Sequence, residues 1–251
     1  MKEDFRKRCY EAFASTKWTY THRGGKNEYE FFAKVTALRM KNILPLKKDI
    51  RIVDLACGAG HFLYFLQKEG YTNTLGIDLS AEMLTLAEKA GVKNLKAAEM
   101  HVFLQENKNN FDLIVANDII EHVTKDEALD LLDSIHSALK PEGMVLLATP
   151  NAMSLLGFGN FHREFTHITA YTPLSLAQVL RVCRFKHIRT FGEKPVRYDL
   201  KSSFRCLLWS LMKRVLLFLL TIQQGTGRGM WKNQVILEPR IFAVAHKGPQ
   251  E

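Results

Sequence analysis

Between residues 50 and 149, short apolar runs alternate with segments whose apolar positions recur every three or four residues. The runs 50–55, 74–78, 95–98, 111–117 and 144–149 read as strands, and the segments 60–69, 81–90, 100–106 and 125–139 as amphipathic helices. This alternation predicts an α/β fold: a mostly parallel sheet with helices on both faces. Ser80 and Thr124 stand where N-caps belong, and Lys140-Pro141-Glu142-Gly143 stands where a helix ends.

Three portions escape the pattern. Residues 1–49, with a helix expected over 28–44, form an N-terminal helical cap over the cofactor mouth, and 50–251 form the main domain. Residues 151–172 follow the fifth strand as a lid carrying Gly157, Gly159, His162, Arg163, Glu164 and His167. The stretch 203–222 is the most apolar of the chain. On a helix it gathers Phe204, Leu207, Leu208, Leu211, Val215, Phe218 and Ile222 on one broad face, with Ser203, Ser210, Lys213 and Arg214 in a narrow polar strip. Lys213 and Arg214 argue against a bilayer span, at a cost of about 2.5–3.5 kcal/mol for each charge at its centre. An interfacial helix on an anionic membrane, a homodimer contact and burial against the lid remain as its readings.

With 251 residues, 47% of them hydrophobic, the chain can bury a full core. Its net charge of +9 is uneven: +6 for residues 1–49, −3 for 50–192 and +6 for 193–251. Basic flanks suit nucleic acid, a membrane surface or phosphorylated substrates. No RNA-binding module or repeated base-stacking aromatic pattern accompanies them, so nucleic acid is not the expected partner. Cys9, Cys57, Cys183 and Cys206 form no C-x-x-C pair, which fits a reducing compartment rather than a disulfide framework. The polar start Met1-Lys2-Glu3-Asp4 points to the cytoplasm or the cytoplasmic face of a membrane.

The run Ile52-Val53-Asp54-Leu55-Ala56-Cys57-Gly58-Ala59-Gly60-His61 ends a strand in a glycine-rich turn that brings bare N–H groups close to a ligand. Asp78, ending the second strand about twenty residues later, is placed to accept hydrogen bonds from both hydroxyls of a ribose. A dinucleotide fingerprint would need a third glycine where Leu63 stands. Together with Asn117-Asp118-Ile119-Ile120-Glu121-His122 and Leu139-Lys140-Pro141-Glu142-Gly143, the Asp-x-x-Cys-Gly-x-Gly run closely resembles the class I S-adenosylmethionine-dependent methyltransferases. The resemblance implies a Rossmann-like sheet completed to seven strands by 186–190 and 235–246. It also implies S-adenosylmethionine as cofactor, lined by Asp54, Ala56, Gly58 and Gly60 and held at the ribose by Asp78 with Leu79. Glu99 and Met100 would lie near the adenine, Asn117 would line the cofactor through its backbone, and Arg39 would reach the cofactor carboxylate.

Asp118, Glu121 and His122 stand at i, i+3 and i+4, so a helical turn beginning after the fourth strand would point all three one way. The pattern is similar to the Glu-x-x-Glu-His of the ubiquinone-biosynthesis O-methyltransferases and the small-RNA 2′-O-methyltransferases, where it binds a divalent metal; here the first position is Asp. The resemblance implies Mg, Mn or Fe held by Asp118, Glu121 and His122, with His167, or else His162, completing the set. A metal-free role for His122 or His167 as catalytic base, and a purely packing role, stand beside it.

These readings lead to O-methylation of a sugar or similar polyol, including a lipid-linked glycan. The lid and tail are similar to methyltransferases of bacterial surface-polysaccharide pathways. A polyprenyl catechol of quinone synthesis, RNA 2′-O-methylation and a non-catalytic cofactor-binding scaffold are the alternatives.

Overall fold

The computed structural model describes residues 5, 6, 9, 25–224 and 235–249. Strands β1 (Ile52–Leu55), β2 (Thr74–Asp78), β3 (Leu95–Ala97), β4 (Phe111–Asn117), β5 (Leu139–Pro150), β6 (Lys186–Gly192) and β7 (Arg240–His246) form one sheet in the order β3-β2-β1-β4-β5-β7-β6. The strand pairs from β3 to β5 are parallel, and β7 runs antiparallel to both β5 and β6. Strand order reverses between β1 and β4. In a sheet of this kind the crevice for ligands opens there, outside the carboxyl ends of the strands.

The pleat explains the layering. Along β4, Ile114 and Ala116 face one helical layer while Leu113 and Val115 face the other, because successive side chains leave a strand on opposite sides. On the first side lie α4 (Met100–Glu106), α5 (Lys125–Ala138) and α7 (Pro173–Val182), contributing Phe103, Leu132, Ile135 and Leu180. On the second lie α1 (Lys26–Met40) and α2 (His61–Lys68), contributing Tyr29, Phe62, Phe65 and Leu66. A sheet covered on both faces reads as nearly continuous apolar runs, as β1 and β4 do. Helix α3 (Ala81–Lys89) follows β2, α6 (Gly157–His162) lies in the lid, and α8 (Leu200–Gln224) is the long C-terminal helix.

Both expected caps form: Ser80 Oγ accepts from the Met83 N–H at 3.3 Å, and Thr124 and Glu127 make a reciprocal capping box. Three segments differ from the sequence reading. Helix α5 ends at Ala138, just before Lys140-Pro141-Glu142-Gly143 as expected, but the fifth strand starts at Leu139 rather than 144 and that run bulges within it; pairing jumps from Phe111–Leu139 to Leu113–Met144, with Glu142 at φ +61°. Strand β7 begins at Arg240 rather than 235, because Pro239 has no N–H for the ladder and its carbonyl is taken by the Asn151 N–H at 2.9 Å. Helix α1 stops at Met40, short of the expected 44. Of the expected cap, residues 1–4, 7, 8 and 10–24 lie outside the described residues.

Arg6 crosses to α5, with its guanidinium forked on both Glu127 oxygens at 2.7 Å, and this hydrogen bond holds the Glu127 carboxyl down at about 2. Thr124→Ala removes the cap and frees Glu127 from the box; unfolding in urea is expected to show a loss of about 1 kcal/mol.

Candidate active site

The loop after β1 is built from left-handed backbone: Ala56 at φ +46°, Gly58 at +54° and Gly60 at +74°. A side chain at Gly60 would also press to 3.0 Å from Ala87 Cβ, so glycine is required there on two counts. The loop is tied at three points. Gly58 N–H donates to Asp78 Oδ2 at 2.8 Å, Cys57 N–H donates to the Ile77 carbonyl at 2.9 Å, and the buried Tyr29 hydroxyl donates to the Ala59 carbonyl at 2.7 Å. Asp78 Oδ1 meanwhile accepts from Ser80 N–H at 2.8 Å. Beneath the loop Asp54 is 2% exposed, and burial, reinforced by the charge of Asp78, pushes its carboxyl up to about 8. Burial raises Asp78 as well, against the bonds from Ser80 and Gly58 that favour its charged form.

The remaining expected cofactor residues divide. Leu79 is 69% exposed directly after Asp78, and Asn117 at the end of β4 has a buried Oδ1 with no hydrogen-bond partner among the described residues, so its side chain as well as its backbone is available to a ligand. Met100 opens α4 half-buried against the core. Glu99 is engaged otherwise: its two oxygens accept from the His101 and Val102 N–H groups at 3.0 and 2.8 Å, capping α4. Arg39 does not point a free guanidinium at the cleft. It is paired with Glu193 at 2.7 Å, and Glu193 also meets Arg240 at 3.7 Å.

Across the crevice, the segment after β4 turns as a short 3-10 helix, Ile120–His122. Asp118, at φ +53°, is not on that turn, and Arg240 binds its carboxylate at 2.7 Å. The expected Asp118–Glu121–His122 set is therefore corrected: left-handed backbone at Asp118 breaks the helical spacing, and an ion pair occupies the side chain. Glu121, His122 and His167 come together instead, one ligand atom from each lying within 4.8 Å of the others. His162 lies on α6 with its ring against Phe158 and does not join them.

The lid makes this cluster. Ile168 and Thr169 N–H groups donate to the Glu121 carbonyl at 2.7 and 3.1 Å, folding the lid onto the turn. His167 Nδ1 lies 2.7 Å from the Phe161 carbonyl, and His122 Nδ1 lies 2.9 Å from Thr166 Oγ1, which in turn donates to Glu164 Oε1 at 3.1 Å. A carbonyl can only accept, so His167 carries its proton on Nδ1. The Thr166 hydroxyl spends its hydrogen on Glu164, so His122 does the same. His167 turns its Nε2 towards Glu164 Oε2, 3.5 Å away. Glu121 is 1% exposed; its Oε2 accepts from the Thr149 hydroxyl at 2.9 Å, while Oε1 has no hydrogen-bond partner among the described residues. Burial, with the charge of Asp118 added, raises its carboxyl pKa.

Sequence reasoning missed Tyr29, Thr149, Thr166 and the pair Glu193–Arg240. The apolar face of α1, with Tyr29, Ala33, Thr36 and Met40 buried at helical spacing, carried a signal for Tyr29. The others act through tertiary contacts that leave no local pattern.

A family model described as Methyltransferase domain matches residues 26–187. Among curated proteins, phosphoethanolamine N-methyltransferase of Plasmodium falciparum is 24% identical over 151 residues, 58% of this chain and 57% of that protein. Ubiquinone biosynthesis O-methyltransferase of Rickettsia bellii is 22% identical over 150 residues, 56% of this chain and 61% of its own length. The chain thus spans little more than half of these relatives. Among solved structures, an S-adenosylmethionine-dependent methyltransferase from Archaeoglobus fulgidus superposes with a TM-score of 0.62 at 20% identity, covering 86% of this chain and 94% of that one. Phosphoethanolamine N-methyltransferase 2 of Haemonchus contortus, in complex with S-adenosyl-L-methionine, superposes at 0.60 with 18% identity over 96% of this chain and 60% of its own.

Two outcomes follow from the cofactor side. Asp78→Ala is expected to weaken S-adenosylmethionine binding by about 1.5–3 kcal/mol, the range for hydrogen bonds to a charged group, as read by calorimetry. For Asp54, a folded-state pKa near 8 against an unfolded value of about 3.9 means that folding favours the protonated form. The ligand-free protein then loses stability as pH rises through that window. Asp54→Asn should flatten the dependence in thermal melts taken across it.

Proposed function

Because the chain belongs to the methyltransferase-domain family, matched over residues 26–187, we propose that it transfers the methyl group of S-adenosylmethionine to an oxygen of a sugar or similar polyol, with a lipid-linked glycan as the favoured acceptor. The observation that carries this reading is the Glu121–His122–His167 cluster beneath the lid, on the opposite side of the crevice from Asp78. Large apolar side chains on the lid, Leu156 at 69% and Phe158 at 80% exposed, support an acceptor with an apolar carrier.

The cluster fits a divalent ion. A buried carboxylate oxygen without a hydrogen-bond partner among the described residues, with two imidazoles beside it, forms a donor set suited to Mn²⁺, Fe²⁺ or Mg²⁺. Glu121, His122 and His167 would hold the ion, and its chemistry there would be Lewis acidity that lowers the pKa of a neighbouring acceptor hydroxyl. The chain's own residues supply the rest. Thr166 and Glu164 fix the His122 ring, and the Phe161 carbonyl fixes that of His167, so both are oriented before the acceptor arrives. Asp78 and the tied glycine loop set the cofactor's position, so alignment of methyl group and hydroxyl is carried by two rigid strand ends, β2 and β4. The lid hydrogen-bonded to Glu121 keeps water from the cluster.

The Rickettsia relative's name favours a second reading with the same chemistry, a polyprenyl catechol as acceptor. Radiolabel from methyl-labelled S-adenosylmethionine, followed into lipid extracts, separates the two: it should enter the glycan fraction and not the quinone precursors.

On the metal, calorimetry should show Mn²⁺ binding that His122→Ala and Glu121→Gln abolish, while S-adenosylmethionine binding is retained. EDTA should stop turnover and Mn²⁺ or Mg²⁺ restore it. Full turnover by metal-stripped protein, verified by elemental analysis, would overturn this part and leave His122 or His167 as the general base.

A further inference from the structure

Helix α8 is amphipathic in a direction opposite to that of a core helix. Its inner side, Ser202, Cys206, Trp209 and Lys213, rests on the domain; Ser202 is buried in a cap with Asp199, and Lys213 Nζ meets the carboxylate of Glu238, itself 2% exposed, at 2.7 Å. The outer side is a continuous apolar stripe: Phe204 is 61% exposed, Leu211 48%, Val215 58%, Phe218 64% and Ile222 65%. This rules out burial against the lid as the helix's role. An 18-residue window within Leu200–Gln223 has a mean hydropathy of 1.6, and none of that window is buried.

The charges beside the stripe decide what covers it. Helix α8 contains Lys201, Arg205, Lys213 and Arg214 and no Asp or Glu. At 100° per residue, Lys201 and Arg205 flank the stripe on one side and Arg214 on the other. A second copy laid stripe to stripe would bring these like charges together with no acid on either helix to compensate. An anionic lipid surface offers an apolar interior for the stripe and negative headgroups for its flanks. The Lys213–Glu238 pair and the seated inner face keep the helix against the domain, so it lies along a surface rather than crossing it.

We propose that α8 is an interfacial membrane helix that holds this protein on an anionic bilayer through its outer stripe and its Lys201, Arg205 and Arg214 flanks. Its root adjoins the lid: Glu238, which anchors Lys213, accepts through its backbone carbonyl from Asn151 Nδ2 at 2.8 Å, and Asn151 begins the lid. The membrane contact is independent of which acceptor is methylated.

Vesicle flotation of the full chain tests it. Binding is expected to vesicles of phosphatidylcholine with phosphatidylglycerol and to fall with added salt. It should weaken roughly fivefold for each of Lys201→Gln, Arg205→Gln and Arg214→Gln, the loss expected for about 1 kcal/mol per basic residue at a charged surface. Leu211→Glu with Phe218→Glu should abolish flotation while S-adenosylmethionine affinity, measured in parallel, confirms the fold. Three results would overturn the proposal: no flotation of the wild type, a dimer that the same double variant dissociates without any vesicle binding, or protein that resists extraction from membranes by alkaline carbonate, which marks a span.

Discussion

One carboxylate, that of Asp78, holds the cofactor half of this protein in shape. Its two oxygens take the N–H groups of Gly58 and Ser80 and so join the glycine loop after β1 to the start of α3. A loop with three left-handed residues has little to stabilise it locally, and Ala56 adds strain that a glycine would not. Ties to the end of β2 and to Tyr29 over-determine the loop, so the N–H groups and the Asp78 oxygens are in place before any ligand arrives. The same burial raises the carboxyls of Asp54 and Asp78, which places two acids in a site where a bound cation would relieve their proximity. A sulfonium cofactor is such a cation.

The sheet and the glycine loop were legible because they depend on local rules. Short apolar runs, helix caps at Ser80 and Thr124, and a glycine turn followed by a strand ending in Asp78 each leave their mark within a few residues. What was misread depended on contacts far apart in sequence. Asp118 looked like a partner of Glu121 as long as the turn was taken to be helical; its left-handed backbone and Arg240, more than a hundred residues away, decided otherwise. Arg39 and Glu99 have the right residue types, yet Glu193 and the first turn of α4 claim them. The place of His167 beside Glu121 and His122 was legible, whereas the Thr166–Glu164 relay against His122 was not, since hydroxyl and carboxylate side chains in a loop carry no periodic signal. For 203–222 the pattern showed an apolar face, but only the fold shows that this face is turned outward.

Glu121 is engaged at both ends. Its backbone carbonyl holds the lid through Ile168 and Thr169, and its carboxyl group belongs to the cluster with His122 and His167. A ligand that draws on that carboxylate also bears on the turn to which the lid is fastened, and lid opening pulls on the carboxylate in return. Linkage makes the two effects equal in free energy: whatever affinity the closed lid adds to occupancy at Glu121, occupancy adds to closure. Occupancy at the centre and closure of the lid then share one coupling free energy, which a change on either side of Glu121 alters for both.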